Sequence, residues 1–303
     1  MNQFPILRNL DLEGRVDHFK WLYEEHSSFV SQEDREYFWG KGLSNSGLSK
    51  FSKSADHYFW DDFVKTQALV VGSATHCYIL EPDKFDSRFV IAPKIDKRTK
   101  AGKEEWAEFE KTLVREDRRD IEAITEEEFG MIVNMKKAVQ NHGLARSLLS
   151  EGISEETIVW NDEKTGCLMK GKLDWRRPEE KIIIDLKTTR DASREGVLKS
   201  AFNYRYHVQQ SVYIDGVQTI TGENDYRFMF IFVEKYPPYG VSVIELDDVA
   251  YDLGHKQYIT DIEKVTLWLE MARNRLQEGM TDVFSGYSED VILLETPHWM
   301  IKH

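Results

Sequence analysis

From Glu156 onward, apolar and polar positions alternate with a period of two. "ETIVW", "LMKGKLDW" and "KIIIDLK" each read as a strand, joined by "NDEKTG" and "RRPEE", whose compositions are those of turns. Together they predict an antiparallel meander. A helical stretch over roughly 194–217 follows. Two further strands, "YRFMFIFVEK" and "GVSVIEL", are separated by "YPPY", and an amphipathic helix over about 251–277 leads to an irregular tail. Residues 1–120 read as helix and loop, with "TQALVVGSATHCYIL" a helix that carries His76 and stops near Pro82. Thr125 to Leu149 opens with a capping-box pattern and continues with apolar spacings of three and four, which predicts another helix. No internal repeat or linker breaks the chain. It reads as one large α/β domain over 1–303, with a mainly helical part to about residue 150 and the sheet after it.

Composition changes this picture only in places. Of the 303 residues, 41% are hydrophobic and 12% aromatic, enough for a packed core and too many for a disordered chain. No apolar run approaches the ~20 residues of a membrane span, and the N-terminus lacks a basic-then-apolar signal layout; we expect a cytoplasmic protein with no membrane partner. Cys77 and Cys167 are too few for a disulfide framework, a four-cysteine zinc site or an iron–sulfur cluster. A net charge of −13 disfavours a protein coated in nucleic acid, but it leaves room for a local basic groove. One such stretch exists: Lys94, Lys97, Arg98, Lys100 and Lys103 stand against Asp96 alone.

The chemistry concentrates in "IIIDLKTTRD". A strand of three isoleucines runs into Asp185 and Lys187, which project to the same face because they are two residues apart, while Leu186 faces the other way. Asp174 ends the preceding strand, and the turn between is short enough to set it beside Asp185. Two converging carboxylates repel unless a cation lies between them, and an oxygen-rich pocket without cysteine suits Mg²⁺ or Mn²⁺. Lys187 would then position or deprotonate a water, or neutralise a phosphate. Alone, the triplet reads more simply as a salt bridge of Asp185 with Lys187 or Lys172. Gln209 and Tyr213 follow at i and i+4 on one helical face, where an amide and a hydroxyl can bond water, Lys187 or a phosphate; Tyr213 reads equally as a core aromatic. His207 reads as a solvated or capping histidine, and His76 as a satisfied core histidine.

Asp174, the D-L-K triplet after an apolar strand, and the Gln209/Tyr213 pair resemble the PD-(D/E)XK nuclease superfamily in its RecB-like branch. The blocks "LSNSGLSKFSKSADHY", "GSATHCYILEPDKF", "RTKAGKEEW", "TGCLMKGKLDW", "IIIDLKTTRDAS" and "YHVQQSVYIDG" resemble, in this order, those of the RecE (exonuclease VIII) type of phage-derived exonuclease, over about 43–216; the tail "ETPHW" is similar too. The resemblance implies a nuclease core with a central mixed β-sheet flanked by helices. It also implies processive 5′ to 3′ degradation of linear double-stranded DNA, leaving 3′ tails for a RecT-like single-strand annealing protein. His76 then matches a histidine of the metal shell, Asp174 and Asp185 the metal carboxylates, the Leu186 carbonyl a further ligand, Lys187 the catalytic lysine, and Gln209 with Tyr213 the Q-x-x-x-Y pair. "KGKLD" stands where relatives often carry alanine or arginine before the aspartate, which leaves ligation intact. Histidine is a more typical ligand of Mn²⁺ or Zn²⁺ than of Mg²⁺.

Backbone phosphates would be met by the basic stretch together with Lys170, Lys172, Arg190 and Arg194, residues that are equally ordinary solvated surface. Family members form homo-oligomeric rings around DNA, which would reconcile an acidic exterior with a DNA substrate by lining the channel with positive charge. A catalytically inactive DNA-binding relative and an endonuclease of the same superfamily are the alternatives. The intact Asp174, Asp185 and Lys187 set speaks against the first. Survival of closed circular DNA would separate the second.

Overall fold

The computed structural model describes residues 7–30, 41–60, 65–96, 98–113, 121–284, 287 and 290–296. The chain divides into two compact units, residues 21–45 with 63–259 and residues 1–20 with 46–62 and 260–303.

The larger unit holds the sheet. Among the described residues, seven strands pair in the order β1 (Ser28–Val30), β5 (Ile153–Asn161), β6 (Leu168–Arg177), β7 (Ile182–Thr189), β8 (Arg227–Glu234) and β9 (Val241–Glu245), with β2 (Leu43–Ser44) added alongside β6. The β5–β6–β7 meander is antiparallel, as the period of two predicts. β8 instead runs parallel to β7, so the sheet is mixed. A parallel neighbour requires a crossover. Two helices supply it, α9 (Arg194–Asn203) and α10 (Tyr206–Thr221). A small parallel pair, β3 (Phe89–Ile91) with β4 (Glu122–Ile124), stands apart.

Alternation on β7 and β8 sorts the interior into two layers. Ile182, Ile184 and Leu186, with Met229, Ile231 and Val233, join a core built on α4 (Gln67–Leu80) and α7 (Glu126–Asn141), including Val70, Val71, Ala74, Ile132, Met135 and Val139. Full burial of each such aliphatic side chain stabilises by roughly 1.5–3 kcal/mol. On the opposite face Phe228, Phe230 and Phe232 pack against Tyr213 and Tyr206 of α10. Helix ends follow local chemistry. The Thr66 hydroxyl accepts from Leu69 N to open α4, and Thr125 with Glu128 forms the expected capping box of α7. That helix stops at Asn141, and α8 (Gly143–Leu148) is separate. The helical stretch expected over 194–217 is likewise two helices, because Arg205 adopts a left-handed backbone (φ 58°) between them.

The smaller unit contains α1 (Leu12–His18) and α3 (Ala55–Phe59), closed around Phe19, Phe51, Tyr58, Phe59 and Trp268 by edge-to-face and stacked rings. Buried Arg15 pairs with Asp56 at 2.8 Å and lies over the Phe59 ring. Helix α11 (Asp248–Gln277) begins in the larger unit and ends in the smaller. Among the described residues no helix is long and apolar enough to cross a membrane.

Candidate metal centre

The site forms where the sheet opens. β6 and β7 pair only at Trp175↔Ile184, Arg176↔Ile183 and Arg177↔Ile182, and the next residues, Asp174 and Asp185, fall beyond the ladder. β5 occupies one edge of β6 throughout, so β2, paired at Met169 and Lys170, takes the edge that β7 has left. Asp174 Oδ2 accepts the Leu186 backbone N–H at 2.8 Å, a side chain standing in for the missing ladder bond. On its other side His76 Nδ1, from α4, lies 3.2 Å from the same oxygen.

Asp185 is 3% exposed. Its Oδ1 accepts from Gln209 Nε2 at 2.6 Å, and its Oδ2 has the Lys187 ammonium at 2.7 Å. That second contact is an ion pair poorly aligned for hydrogen bonding, so Oδ2 is buried without a directed donor. Lys187 is held on three sides, by Asp185, by Gln209 Oε1 at 2.9 Å and by the Tyr206 ring 4.7 Å from Nζ. Gln209 thus bridges acid and base, amide N–H to one and amide oxygen to the other. The simpler reading of the triplet, a salt bridge, is present in the structure, but within this network.

Burial and charge shift the site's titrations strongly. Burial raises Asp185 to about 6, Lys187 working against it and Asp174 adding to it. Burial opposes the charge on His76, yet Asp174, Asp185 and Glu155 outweigh it and hold the imidazole up at about 9. Asp174 is buried too, but the His76 pair, Lys187 and the Leu186 N–H bring it below its ordinary value. Lys187 is pushed upward by Asp185 and Asp174 in spite of burial, so its ammonium stays charged.

Glu155 is the residue that sequence reasoning missed. His76, Glu155 and Asp174 each offer a ligand atom, all within 4.8 Å of one another. Glu155 enters the group because its backbone is left-handed (φ 53°), an unusual state for a residue with a Cβ. Its carboxylate pairs with Lys172 at 2.6 Å and is pushed upward, chiefly by burial and then by Asp174. The only signal in the sequence was a pair of adjacent acids, Glu155 and Glu156, opening a strand. Glu156 goes elsewhere, to a two-pronged pair with Arg176.

The donors fit a divalent cation. The His76 imidazole and the Glu155 and Asp174 carboxylates converge with no sulfur ligand among them, and Asp185, outside that group of three, has its Oδ2 buried without a directed donor. His76, Asp174, Asp185, Leu186, Lys187 and Gln209 are therefore brought together. Tyr213, one turn beyond Gln209, packs its ring over Gly171, where an added Cβ would meet Tyr213 Cε1 at 2.8 Å. His207 is 3% exposed, its ring between Ala201 O and Gln257 Oε1, and so is a buried, satisfied histidine instead of a solvated one. Of the basic residues, Lys94, Arg98, Lys100, Lys103, Arg190 and Arg194 are exposed, and Arg98 makes a two-pronged pair with Asp96. Lys172 is half-buried on Glu155, Lys170 is buried and brought down to about 8 by desolvation, and Lys97 lies outside the described residues.

An open-edged mixed sheet carrying Asp174 and D-L-K between flanking helices defines the PD-(D/E)XK class. The chain belongs to the family of the PDDEXK-like domain of unknown function (DUF3799), which matches residues 44–278. It is similar in fold to a Eubacterium rectale protein provisionally named an exonuclease, with TM-score 0.57 and 17% identity over 90% of this chain and 98% of that one. A phage-related exonuclease from Haemophilus somnus 129PT matches at TM-score 0.31 and 14% identity, over 78% of this chain and 99% of that one. No curated protein matches the chain.

Proposed function

We propose that the protein is a divalent-metal-dependent exodeoxyribonuclease acting on linear double-stranded DNA. The observation that carries this reading is the Asp174–Asp185–Lys187 constellation at the opened strand pair, with Gln209 bridging its acid and its base. Membership of the PDDEXK-like family and the fold shared with the E. rectale protein named as an exonuclease support it.

The reaction is hydrolysis of a phosphodiester. Water oxygen joins phosphorus, the bond to the 3′ oxygen breaks, and a 5′-phosphate and a 3′-hydroxyl result. Asp174 and Asp185, with the Leu186 carbonyl, would hold Mg²⁺ or Mn²⁺, and His76 and Glu155 would complete the donor set. When bound, the metal supplies Lewis acidity that activates water and neutralises charge on the leaving oxygen. Lys187, whose ammonium Asp185 and Asp174 favour in the metal-free site, would orient water and balance phosphoryl charge. Gln209 fixes the carboxylate and the ammonium in register, and Asp174 is fixed in turn by the Leu186 N–H. Exposed Arg190, Arg194 and the basic residues Lys94 to Lys103 track the phosphate backbone without reading sequence. Processive 5′ to 3′ degradation, a homo-oligomeric ring around the DNA and delivery of 3′ tails to a single-strand annealing protein follow from the resemblance to RecE-type enzymes.

The test incubates linear and closed circular duplex DNA with the protein and Mg²⁺ or Mn²⁺, with EDTA as control. Loss of linear DNA only, abolished by EDTA, is expected. Linear DNA left intact in both metals sinks the enzyme reading, and cutting of the circle turns it toward an endonuclease. End-labelling at either terminus reads the polarity.

A further inference from the structure

An exposed aromatic surface begins at the catalytic lysine. The Tyr206 ring lies against the Lys187 ammonium and stacks on Phe230 at 5.6 Å between centroids, with the planes 30° apart. The Tyr204 ring follows, 5.9 Å from that of Tyr206 and inclined by 36°, and it is 70% exposed. Arg205 between them takes the left-handed backbone, a costly conformation for a residue with a Cβ, and the kink is what sets the two rings side by side. On α9, Leu198 and Phe202 are 56% and 42% exposed at i and i+4, and the exposed cations Arg194 and Lys199 share the helix.

Large apolar side chains held out to water beside a charged site call for an occupant. The Lys187 ammonium is recessed, its side chain 19% exposed, and a phosphate drawn to it out of the regular duplex carries its base out of the stack. We propose that Tyr204 is the stacking platform for that unpaired terminal base, two ring spacings from the Lys187 ammonium, while Arg194 and Lys199 hold the strand's phosphates. The inference rests on the nuclease reading and adds to it how the end is opened and held. Stacking uses the face that every base has, so the platform is indifferent to sequence.

The test compares the full-length wild type, Tyr204→Ala and Tyr204→Phe on linear duplexes whose terminal nucleotide is either normal or abasic. The readouts are kcat/KM in Mg²⁺ and binding by anisotropy in Ca²⁺. On normal ends Tyr204→Ala should lose about 5- to 150-fold, as measured for single base–aromatic stacks, equally for all four bases, and Tyr204→Phe should stay within about twofold. On abasic ends the wild type should fall to the level of Tyr204→Ala, the substitution then adding nothing. Equal losses on normal and abasic ends would mean a structural role and overturn the platform. So would an active wild type indifferent to Tyr204→Ala. A wild type inert toward all DNA overturns the nuclease reading, and the platform with it.

Discussion

Gln209→Met is the substitution that isolates the bridge between Asp185 and Lys187. Methionine keeps the length and most of the volume of glutamine, so the buried helix α10 should pack as before. Two contacts vanish: the 2.6 Å bond to Asp185 Oδ1 and the 2.9 Å bond from Lys187 Nζ. The ammonium retains Asp185 and the Tyr206 ring, so most of the cost falls on the carboxylate. Asp185 Oδ1 is left buried without a donor, and stranding a buried acceptor costs about 1–3 kcal/mol, more for a charged one. That cost, about 2 kcal/mol, falls on stability, while the loss of orientation at the carboxylate and the ammonium should lower kcat/KM by the ~10- to 100-fold usual for groups that orient metal ligands. The assay is initial rates on end-labelled linear duplex over a range of Mn²⁺ concentrations, with thermal unfolding to confirm packing. A kcat/KM within threefold of the wild type, in a variant that is still folded at the assay temperature, would refute the bridging role.

Further outcomes follow from other parts of the structure. In EDTA, His76 has a folded pKa of about 9 against 6.5 unfolded, so the His76–Asp174 pair stabilises fully below pH 6.5 and its contribution, about 3 kcal/mol, is lost as pH rises through 9. Urea unfolding at pH 6 and 9.5 should show this loss in the wild type and not in His76→Gln; equal losses in both would contradict it. Gly254→Ala would drive a Cβ into the His207 carbonyl where α11 crosses α10, and should lower stability by about 3 kcal/mol, read as a fall in Tm. Glu155→Gln should weaken Mn²⁺ binding by calorimetry about tenfold, since one donor of the group is lost; unchanged affinity would place Glu155 outside the metal's reach.

Strong, simple periods were legible in the sequence. The triple isoleucine of β7 and the continuous apolar run of β8 left no other reading than buried strands, and Thr125 with Glu128 announced α7. The site was legible where residues lie close along the chain, as for Asp185 with Lys187 or Gln209 with Tyr213. It was obscure where one backbone torsion decides the outcome. Glu155 turns into the donor group and Arg205 splits a helix only through left-handed φ values that no pattern announces. Strands of two or three residues, β1 to β4, are too short to show a period at all. Helix α10 is buried on nearly every side, so its sequence has no polar stripe, and His207 read as solvated when it is enclosed.

The central claim is that Lys187 serves the chemistry while the carboxylates hold the metal. Mn²⁺ calorimetry and cleavage of linear duplex, run side by side on the wild type and Lys187→Ala, test it most directly. Removing the cation that neutralises Asp185 should leave Mn²⁺ affinity equal or higher, while cleavage falls by at least about 100-fold, the lower end for loss of a positioned electrostatic group in a catalytic site. Cleavage by Lys187→Ala within tenfold of the wild type, at equal metal occupancy, would contradict the account.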